Sequence, residues 1–97
     1  MHKLTVLYPS GEGQTFDMEY YRTTHKQVCF DCLDGLERMD IEQGVEGQPY
    51  FAIGHLYFKS MDALQGAMGN PKAGATATDI PNYYSGSPQI QISEVVE

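Results

Sequence analysis

Histidine is the side chain best suited to moving protons near neutral pH, and His25 is the strongest candidate for that chemistry in this 97-residue chain. It shares spacings of three and four residues with a set of mostly apolar side chains, namely Met18, Tyr21, Val28 and Cys32. Residues spaced in this way lie on one face of a helix. We therefore expect His25 on the buried side of an amphipathic helix, where a pocket against a sheet would let it act as a general acid–base. The alternative is a core histidine hydrogen-bonded to a backbone carbonyl or a tyrosine.

Seven tyrosines supply a second set of candidates. Six of them could line an apolar pocket with their hydroxyl groups: Tyr8, Tyr20, Tyr21, Tyr57, Tyr83 and Tyr84. Of these, Tyr8, Tyr21, Tyr57 and Tyr83 are the candidates for binding substrate. Tyrosine is also an ordinary core and strand residue, so a purely structural role stays open for each. Tyr83 and Tyr84 share a predicted loop with Gly86 and are expected to form a lid. His55, in a predicted strand, is either a further substrate-binding or acid–base group or a hydrogen-bonded histidine at a subunit interface.

Cys29 and Cys32 form a lone C-x-x-C motif. A structural zinc site needs two further ligands at suitable spacing, and redox motifs of this type begin a helix, where the helix dipole lowers the thiol pKa. This motif falls near the end of a predicted helix, where the dipole opposes a thiolate. The histidine spacing matches no metal or haem site, and glycine-rich nucleotide motifs and the G-x-S-x-G elbow are absent. We expect reduced cysteines, no metal and no cofactor.

Hydrophobic patterning predicts the elements that must position these side chains. The predicted strands span 3–8, 36–45, 50–58 and 89–96. The predicted helices span 17–34, 61–68 and, with a weaker pattern, 70–79. Asp17 and Ser60 are N-caps for the first two helices, and Gly35 is a typical residue for ending the first. Charges alternate along the second strand, which favours an edge position in the sheet.

This β-α-β-β-α-β order predicts an α+β fold, a ferredoxin-like sandwich in which helices cover one face of a four-stranded antiparallel sheet, in one domain spanning 1–97. Two helices cover only one sheet face, yet the third strand is apolar on both. Its faces carry Phe51, Ile53 and Tyr57 on one side and Ala52, Leu56 and Phe58 on the other. Because a soluble monomer rarely exposes such a patch, we expect a homodimer in which a second subunit covers the open face.

Composition limits the classes of partner. Six Lys and Arg against thirteen Asp and Glu give a formal net charge of −7, which repels both nucleic acid and anionic membranes, so neither is an expected partner. The apolar run near the start is too short for a signal peptide or a membrane span. We therefore expect a cytoplasmic protein.

Three segments together resemble the EthD family over nearly the whole chain. They are Lys3-Leu4-Thr5-Val6-Leu7-Tyr8-Pro9, then Phe16-Asp17-x-x-Tyr20-Tyr21-x-x-x-His25, and Pro88-x-Ile90-Gln91-Ile92-Ser93-Glu94-Val95-Val96. The resemblance implies a ferredoxin-like subunit of a dimeric α+β barrel. The family is named for a component of ethyl tert-butyl ether degradation that works beside a cytochrome P450 system. One departure is that Gln27 and Val28 stand where the family usually has Pro and Leu after the histidine.

Two functions follow from the residues and the resemblance together. In the first, the protein handles a small apolar or aromatic metabolite as a cofactor-independent isomerase, lyase or monooxygenase-type enzyme, with His25 as acid–base and a tyrosine orienting the substrate. In the second, it is a non-catalytic binding or carrier protein that serves an oxygenase system. A dimer with a vestigial pocket is a third class. The fold alone does not decide between them.

Overall fold

A four-stranded antiparallel sheet is the frame of the molecule, in a computed structural model that describes residues 1–97. The strands are β1 His2–Pro9, β2 Leu36–Gln43, β3 Tyr50–Phe58 and β4 Gln89–Glu94. Their order in the sheet is β2-β3-β1-β4, and every neighbouring pair is antiparallel. With helices packed on one face, this is the α+β ferredoxin-like fold that the sequence predicts. None of the helices combines the length and apolar character that crossing a membrane requires.

The first helix, α1, contains a π-helical segment. Its parts are the α-helical Met18–Tyr20, the π-helical Tyr21–His25 and the α-helical Lys26–Cys32. Asp17 is the N-cap, as predicted, because its Oδ1 accepts a hydrogen bond from the Tyr20 amide at 3.0 Å. The Lys26 amide donates to the carbonyl of Tyr21, five residues back, which defines the wider turn. The residues that α1 and its C-cap bury are spaced by four: Tyr21, His25, Cys29 and Leu33.

The buried face predicted for this helix is therefore wrong beyond His25. Val28 and Cys32 are only partly buried, and Cys29 and Leu33 take the core positions instead. The wider turn inserts one residue into the helical repeat, and a period of 3.6 cannot anticipate that insertion. The helix also ends at Cys32, two residues earlier than predicted, and the chain turns into β2 at Gly35, whose φ is +88°.

The second half of the chain supplies shorter helices. Helix α2 is Met61–Met68, a 3-10 turn covers Pro71–Ala73, helix α3 is Gly74–Thr78, and a second 3-10 turn is Ile80–Asn82. Ser60 caps α2 by accepting from the Ala63 amide at 3.1 Å, and Asn70 accepts from the Lys72 amide at 3.0 Å. Both are predicted starts. Helix α3 packs against the last segment of α1, and this contact places Asp79 within hydrogen-bonding distance of His25.

The register of the sheet assigns its two faces. Leu4 of β1, Leu56 of β3 and Met39 of β2 are aligned and buried beneath the helices. Alternate residues of β3 therefore face the side that no helix covers, and they are only partly buried: Ile53, His55 and Tyr57. Phe51, predicted to share that face, instead stacks on Phe16 at the end of the sheet, beside a shift in the β1–β3 register. Strand β2 is an edge with exposed charges, as predicted. Val45, predicted to lie in that strand, is instead 72% exposed in the loop beyond it.

Tyr83 and Tyr84 belong to the core, so the predicted lid is wrong. Each is 3% exposed, and Tyr84 forms an isolated β-bridge with Phe16. The Tyr84 hydroxyl donates to the Pro9 carbonyl at 2.6 Å. Both rings pack edge-on against Tyr8, with centroids 5.6 and 5.2 Å away. This aromatic cluster joins distant parts of the chain, and a turn-rich local sequence does not reveal it.

Candidate functional site

A cavity of about 120 Å³ lies between α1, α3 and the sheet. Its walls are mostly apolar, and the polar side chains that reach it include Tyr8, Tyr21 and His25. Met68 and Ile90 also line it and are 42% and 60% exposed, so the cavity meets the surface beside them. An engineered apolar cavity of about 150 Å³ holds benzene, so this one matches a single-ring molecule in scale.

His25 forms a buried pair with Asp79 at the wall of this cavity. The His25 Nδ1 and Asp79 Oδ2 atoms are 2.9 Å apart, and the two side chains are only 5% and 11% exposed. The other carboxylate oxygen accepts from the Tyr20 hydroxyl at 2.6 Å and from Asn82 Nδ2 at 2.9 Å. Three donors therefore fix the Asp79 carboxylate, and the carboxylate fixes the imidazole ring.

Burial and hydrogen bonding set the protonation state of the pair. Burial lowers the pKa of His25, although the hydrogen bond and charge of Asp79 act in the opposite direction. Burial alone would raise the pKa of Asp79, but its bonds from Tyr20, Asn82 and His25 leave that pKa below the ordinary value. Near neutral pH the pair is thus a neutral imidazole beside a carboxylate. Nδ1–H donates to Asp79, and Nε2 keeps its lone pair.

Two tyrosines continue the chain of hydrogen bonds from Nε2. The Tyr83 hydroxyl lies 3.2 Å from His25 Nε2, and the Tyr8 hydroxyl lies 2.7 Å from that of Tyr83. Because Nε2 is an acceptor, Tyr83 donates its proton to it, and Tyr8 then donates to the Tyr83 oxygen. Burial raises the pKa of both phenols, so both are neutral.

Tyr21 brings a hydroxyl without a partner to the same cavity. The side chain is fully buried, and its hydroxyl makes no hydrogen bond. The hydroxyl lies against Gly54 of β3, where any Cβ would fall well inside van der Waals contact. A buried, unpaired donor costs about 1–3 kcal/mol. A ligand oxygen in the cavity would relieve that cost.

Comparisons with known proteins show which solved structures the chain resembles. No protein-family model matches the sequence, and no curated protein matches it either. Among solved structures, the chain is similar to an EthD-like protein from Ralstonia eutropha JMP134, with 29% identity, a TM-score of 0.82, and coverage of 99% of this chain and 92% of that one. Over nearly its whole length the chain therefore resembles an EthD-like protein.

Two further structures support the fold of this EthD-like chain. An EthD family protein from Bacillus halodurans C-125 is 23% identical and covers 99% of both chains, with a TM-score of 0.78. A cofactor-independent oxygenase from Streptomyces nogalater is 10% identical, with a TM-score of 0.68, and covers 99% of this chain and 92% of that one. Identities this low establish a shared fold and nothing about shared chemistry.

The EthD-like fold unites some of the predicted site residues and separates others. Tyr8, Tyr21 and His25 line the cavity, and Tyr83 contacts His25 without lining the cavity itself. His55 and Tyr57 lie on the opposite sheet face. There Lys3 donates to His55 Nδ1 at 3.1 Å, and the Arg38 guanidinium lies 4.3 Å from the centre of the Tyr57 ring. His55 Nε2 also lies 3.2 Å from Glu42, so its ring nitrogens serve surface contacts.

Sequence reasoning missed Asp79, the partner that gives His25 its tautomer. It is 54 residues away in sequence, at the end of a weakly patterned helical piece, and carries no local signal. Tyr20, which holds Asp79, was visible as a candidate pocket tyrosine and as part of the family motif, but its bond to Asp79 was not. Cys29 is a free, buried thiol whose pKa burial raises to about 12. No group of three or more His, Cys, Asp or Glu side chains is arranged to hold a metal ion.

Proposed function

We propose that this EthD-like protein binds a small apolar or aromatic metabolite in the cavity and moves a proton to or from it with the His25–Asp79 pair, without a cofactor. The observation that carries the proposal is a hydrogen-bonded histidine–carboxylate pair, almost wholly buried, whose histidine lines a mostly apolar cavity of about 120 Å³. Burying such a pair carries a desolvation penalty, and apolar side chains of similar volume would stabilise a packed core at least as well. Perturbed titratable groups at a cavity are typical of sites of chemistry.

The geometry defines what the pair would do. A neutral Nε2 takes up a proton, and the Asp79 carboxylate stabilises the imidazolium that forms. The unpaired Tyr21 hydroxyl would donate to the ligand oxygen on which negative charge develops. Proton abstraction beside a carbonyl, isomerisation and lactone chemistry all use these two functions.

A second candidate is a non-catalytic carrier that passes a small apolar molecule to an oxygenase. The observation that favours it is that both ring nitrogens of His25 already bond to protein side chains. In a carrier, these bonds would only hold the cavity wall in shape. Such a protein would bind ligands without turning them over.

We further propose that the protein is a homodimer joined through the sheet face that carries no helix. The support is that Ile53 and Tyr57 of β3, with Leu7 aligned beside Ile53 on β1, are only partly buried on that face. The His25 cavity lies on the other side of the sheet. Pairing through the open face would therefore leave the cavity intact.

A screen with a matched pair of variants tests the proposed function. Small phenols, lactones and enolisable cyclic ketones are offered to the wild type, His25→Phe and His55→Phe, and both binding and turnover are followed. We expect binding by all three proteins and turnover by the wild type and His55→Phe only, with a loss of about 10²–10⁴-fold in His25→Phe. Binding without turnover by any protein supports the carrier, and no binding contradicts both functions.

A further inference from the structure

We infer that Tyr8, rather than His25, is the residue that exchanges a proton with the bound molecule, and that Tyr83 connects the two. The inference deepens the proposed function and rests on it, because it concerns the same cavity. It makes Tyr8 a catalytic residue and Tyr83 the internal link of a proton relay.

The first step is that His25 has no free nitrogen to offer. Nδ1 bonds to Asp79 at 2.9 Å and Nε2 is 3.2 Å from the Tyr83 hydroxyl. The imidazole lines the cavity, but a ligand can reach a ring nitrogen only by displacing one of these partners. Both partners are held by other bonds, Asp79 by Tyr20 and Asn82, and Tyr83 by Tyr8.

The second step is that the relay ends at the cavity. Tyr83 is 3% exposed and is not among the cavity-lining residues, whereas Tyr8 lines the cavity directly. With Nε2 as the terminal acceptor, every hydroxyl in the chain points its proton towards His25. Burial raises the pKa of Tyr8 and the nearby Tyr21 hydroxyl lowers it in part, but that hydroxyl forms no hydrogen bond and stays available to a ligand. The Tyr8 oxygen then keeps a lone pair to which no protein group is hydrogen-bonded, and it is the basic end of the relay.

The proton balance follows from this direction. A ligand O–H or acidic C–H gives its proton to the Tyr8 oxygen, the Tyr8 proton passes to Tyr83, and the Tyr83 proton passes to His25 Nε2. The products are a ligand anion and an imidazolium beside the Asp79 carboxylate, and both tyrosines end neutral. Burial disfavours a tyrosinate at either position, so the transfers must be concerted.

The same geometry narrows the class of substrate. The molecule must lose a proton near an oxygen that Tyr21 can hold, and it must have roughly the size of one ring, given a cavity of about 120 Å³. Phenols and enolisable cyclic ketones meet both conditions. A carboxylate does not, because it has no proton to give near neutral pH and would lie close to Asp79.

A fluorinated phenol tests the relay directly. We bind 2,6-difluorophenol to the wild type, Tyr8→Phe, Tyr83→Phe and the control Tyr50→Phe, whose hydroxyl bonds to Gln89 away from the cavity. The ¹⁹F shift reports ligand ionisation, and the ¹⁵N shifts of His25 report its protonation. We expect phenolate and imidazolium in the wild type and in Tyr50→Phe. In the two relay variants the bound ligand stays neutral, with its apparent pKa raised by about one unit or more.

Several results would overturn the relay. One is ionisation of the ligand and protonation of His25 in Tyr8→Phe to the wild-type extent, because His25 would then act directly. A bound ligand that stays neutral in the wild type is another. The ligand-free proteins give a separate test: Tyr83→Phe removes a donor that favours neutral Nε2, so the His25 pKa must rise, and an unchanged pKa contradicts the direction of the chain. Absence of wild-type binding would contradict the proposed function, and the ligand-free test would still decide the relay.

Discussion

His25 lies at the centre of the buried polar groups, hydrogen-bonded to both Asp79 and Tyr83. Its ring stacks on Tyr21 with centroids 5.4 Å apart and packs against Tyr83 at 4.5 Å. These contacts shield the imidazole from water on both sides, so a charge on it is stabilised only through Asp79. At rest the imidazole is therefore neutral beside the Asp79 carboxylate, and under the proposed function that carboxylate would stabilise a proton taken up by the ring.

The pH dependence of stability provides a first prediction. The pKa of His25 is lowered on folding from about 6.5, so below that pH the unfolded chain binds a proton that the folded chain resists. The free energy of unfolding must therefore fall as the pH drops below about 6.5, and the lowered pKa of Asp79 adds a further loss below about 3.8. Urea unfolding between about pH 7 and pH 5 measures this slope. His25→Phe should flatten it, and an equal slope in both proteins contradicts the assignment.

Tyr21 provides a second prediction. Removing an unpaired buried hydroxyl should cost no stability. In urea unfolding, the free energy of unfolding of Tyr21→Phe is therefore expected to equal that of the wild type or to exceed it by up to about 1–3 kcal/mol. The same variant should bind phenols more weakly. Gly54→Ala, which forces a Cβ against that hydroxyl, should destabilise by about 1–3 kcal/mol, and adding Tyr21→Phe should restore part of the loss. Strong destabilisation by Tyr21→Phe alone would show that the hydroxyl has a structural partner.

Among the elements, the π-helical segment of α1 has the largest consequence for the site. It gives Tyr21 and His25 a spacing at which both rings enter the cavity in a stack. It also shifts every later buried position by one residue. A single-turn π insertion is less stable than a regular α-helical turn, so it persists mainly where function requires it, and such insertions are frequent at functional sites.

A deletion tests the role of this segment. Removing the exposed Thr24 lets α1 close into a regular α-helix while Cys29 and Leu33 keep their register with the sheet. We expect a folded protein with a Tm at or above that of the wild type and with phenol binding strongly reduced. The measurements are thermal unfolding and ligand titration. A folded deletion variant that retains full binding would contradict a functional role for the segment, and a misfolded one would show that the fold itself requires the wider turn.

How much of this the sequence predicts differs between elements. Asp17, Ser60 and Asn70 carry their capping function in their own chemistry, and β3 is flanked by turn residues, so these starts and its bounds were predictable. The π segment was not, since no residue type encodes it. Asp79 and Tyr83 meet His25 across 54 and 58 residues of chain, and only packing brings them there. Which residues lie on the open sheet face was likewise not predictable, because it depends on how the strands are aligned. That alignment places His55 on the face opposite to His25.

At the scale of the whole molecule, the proposed dimer would use the open sheet face, and the two edges of the sheet differ in charge. The β2 edge is protected by Arg38, Asp40 and Glu42, whereas β4 carries no charge before Glu94 and exposes Ile90 and Ile92. Both isoleucines lie on the helix side, and Ile90 lines the cavity where it meets the surface. In the proposed dimer, the subunit interface and the opening of the cavity would therefore lie on different faces of the sheet.

The dimer proposal makes a prediction about mass. Light scattering of a dilute sample should give about twice the 10.8 kDa of one chain. Ile53→Asp, on the open face, should shift the protein to monomer because it places a charge in an apolar interface, while Ile90→Asp should leave the mass unchanged. A wild-type monomer with an ordered core would contradict the proposal.

The central claim is that the cavity moves protons through His25, and hydrogen exchange measures it without knowledge of the natural substrate. A small cyclic ketone is incubated in heavy water with the wild type, His25→Phe or His55→Phe, and deuterium uptake at the carbon beside the carbonyl is followed by NMR. We predict that the wild type and His55→Phe accelerate exchange by about 10²-fold or more over His25→Phe. Equal exchange in all three, by proteins that bind the ketone, would contradict the claim.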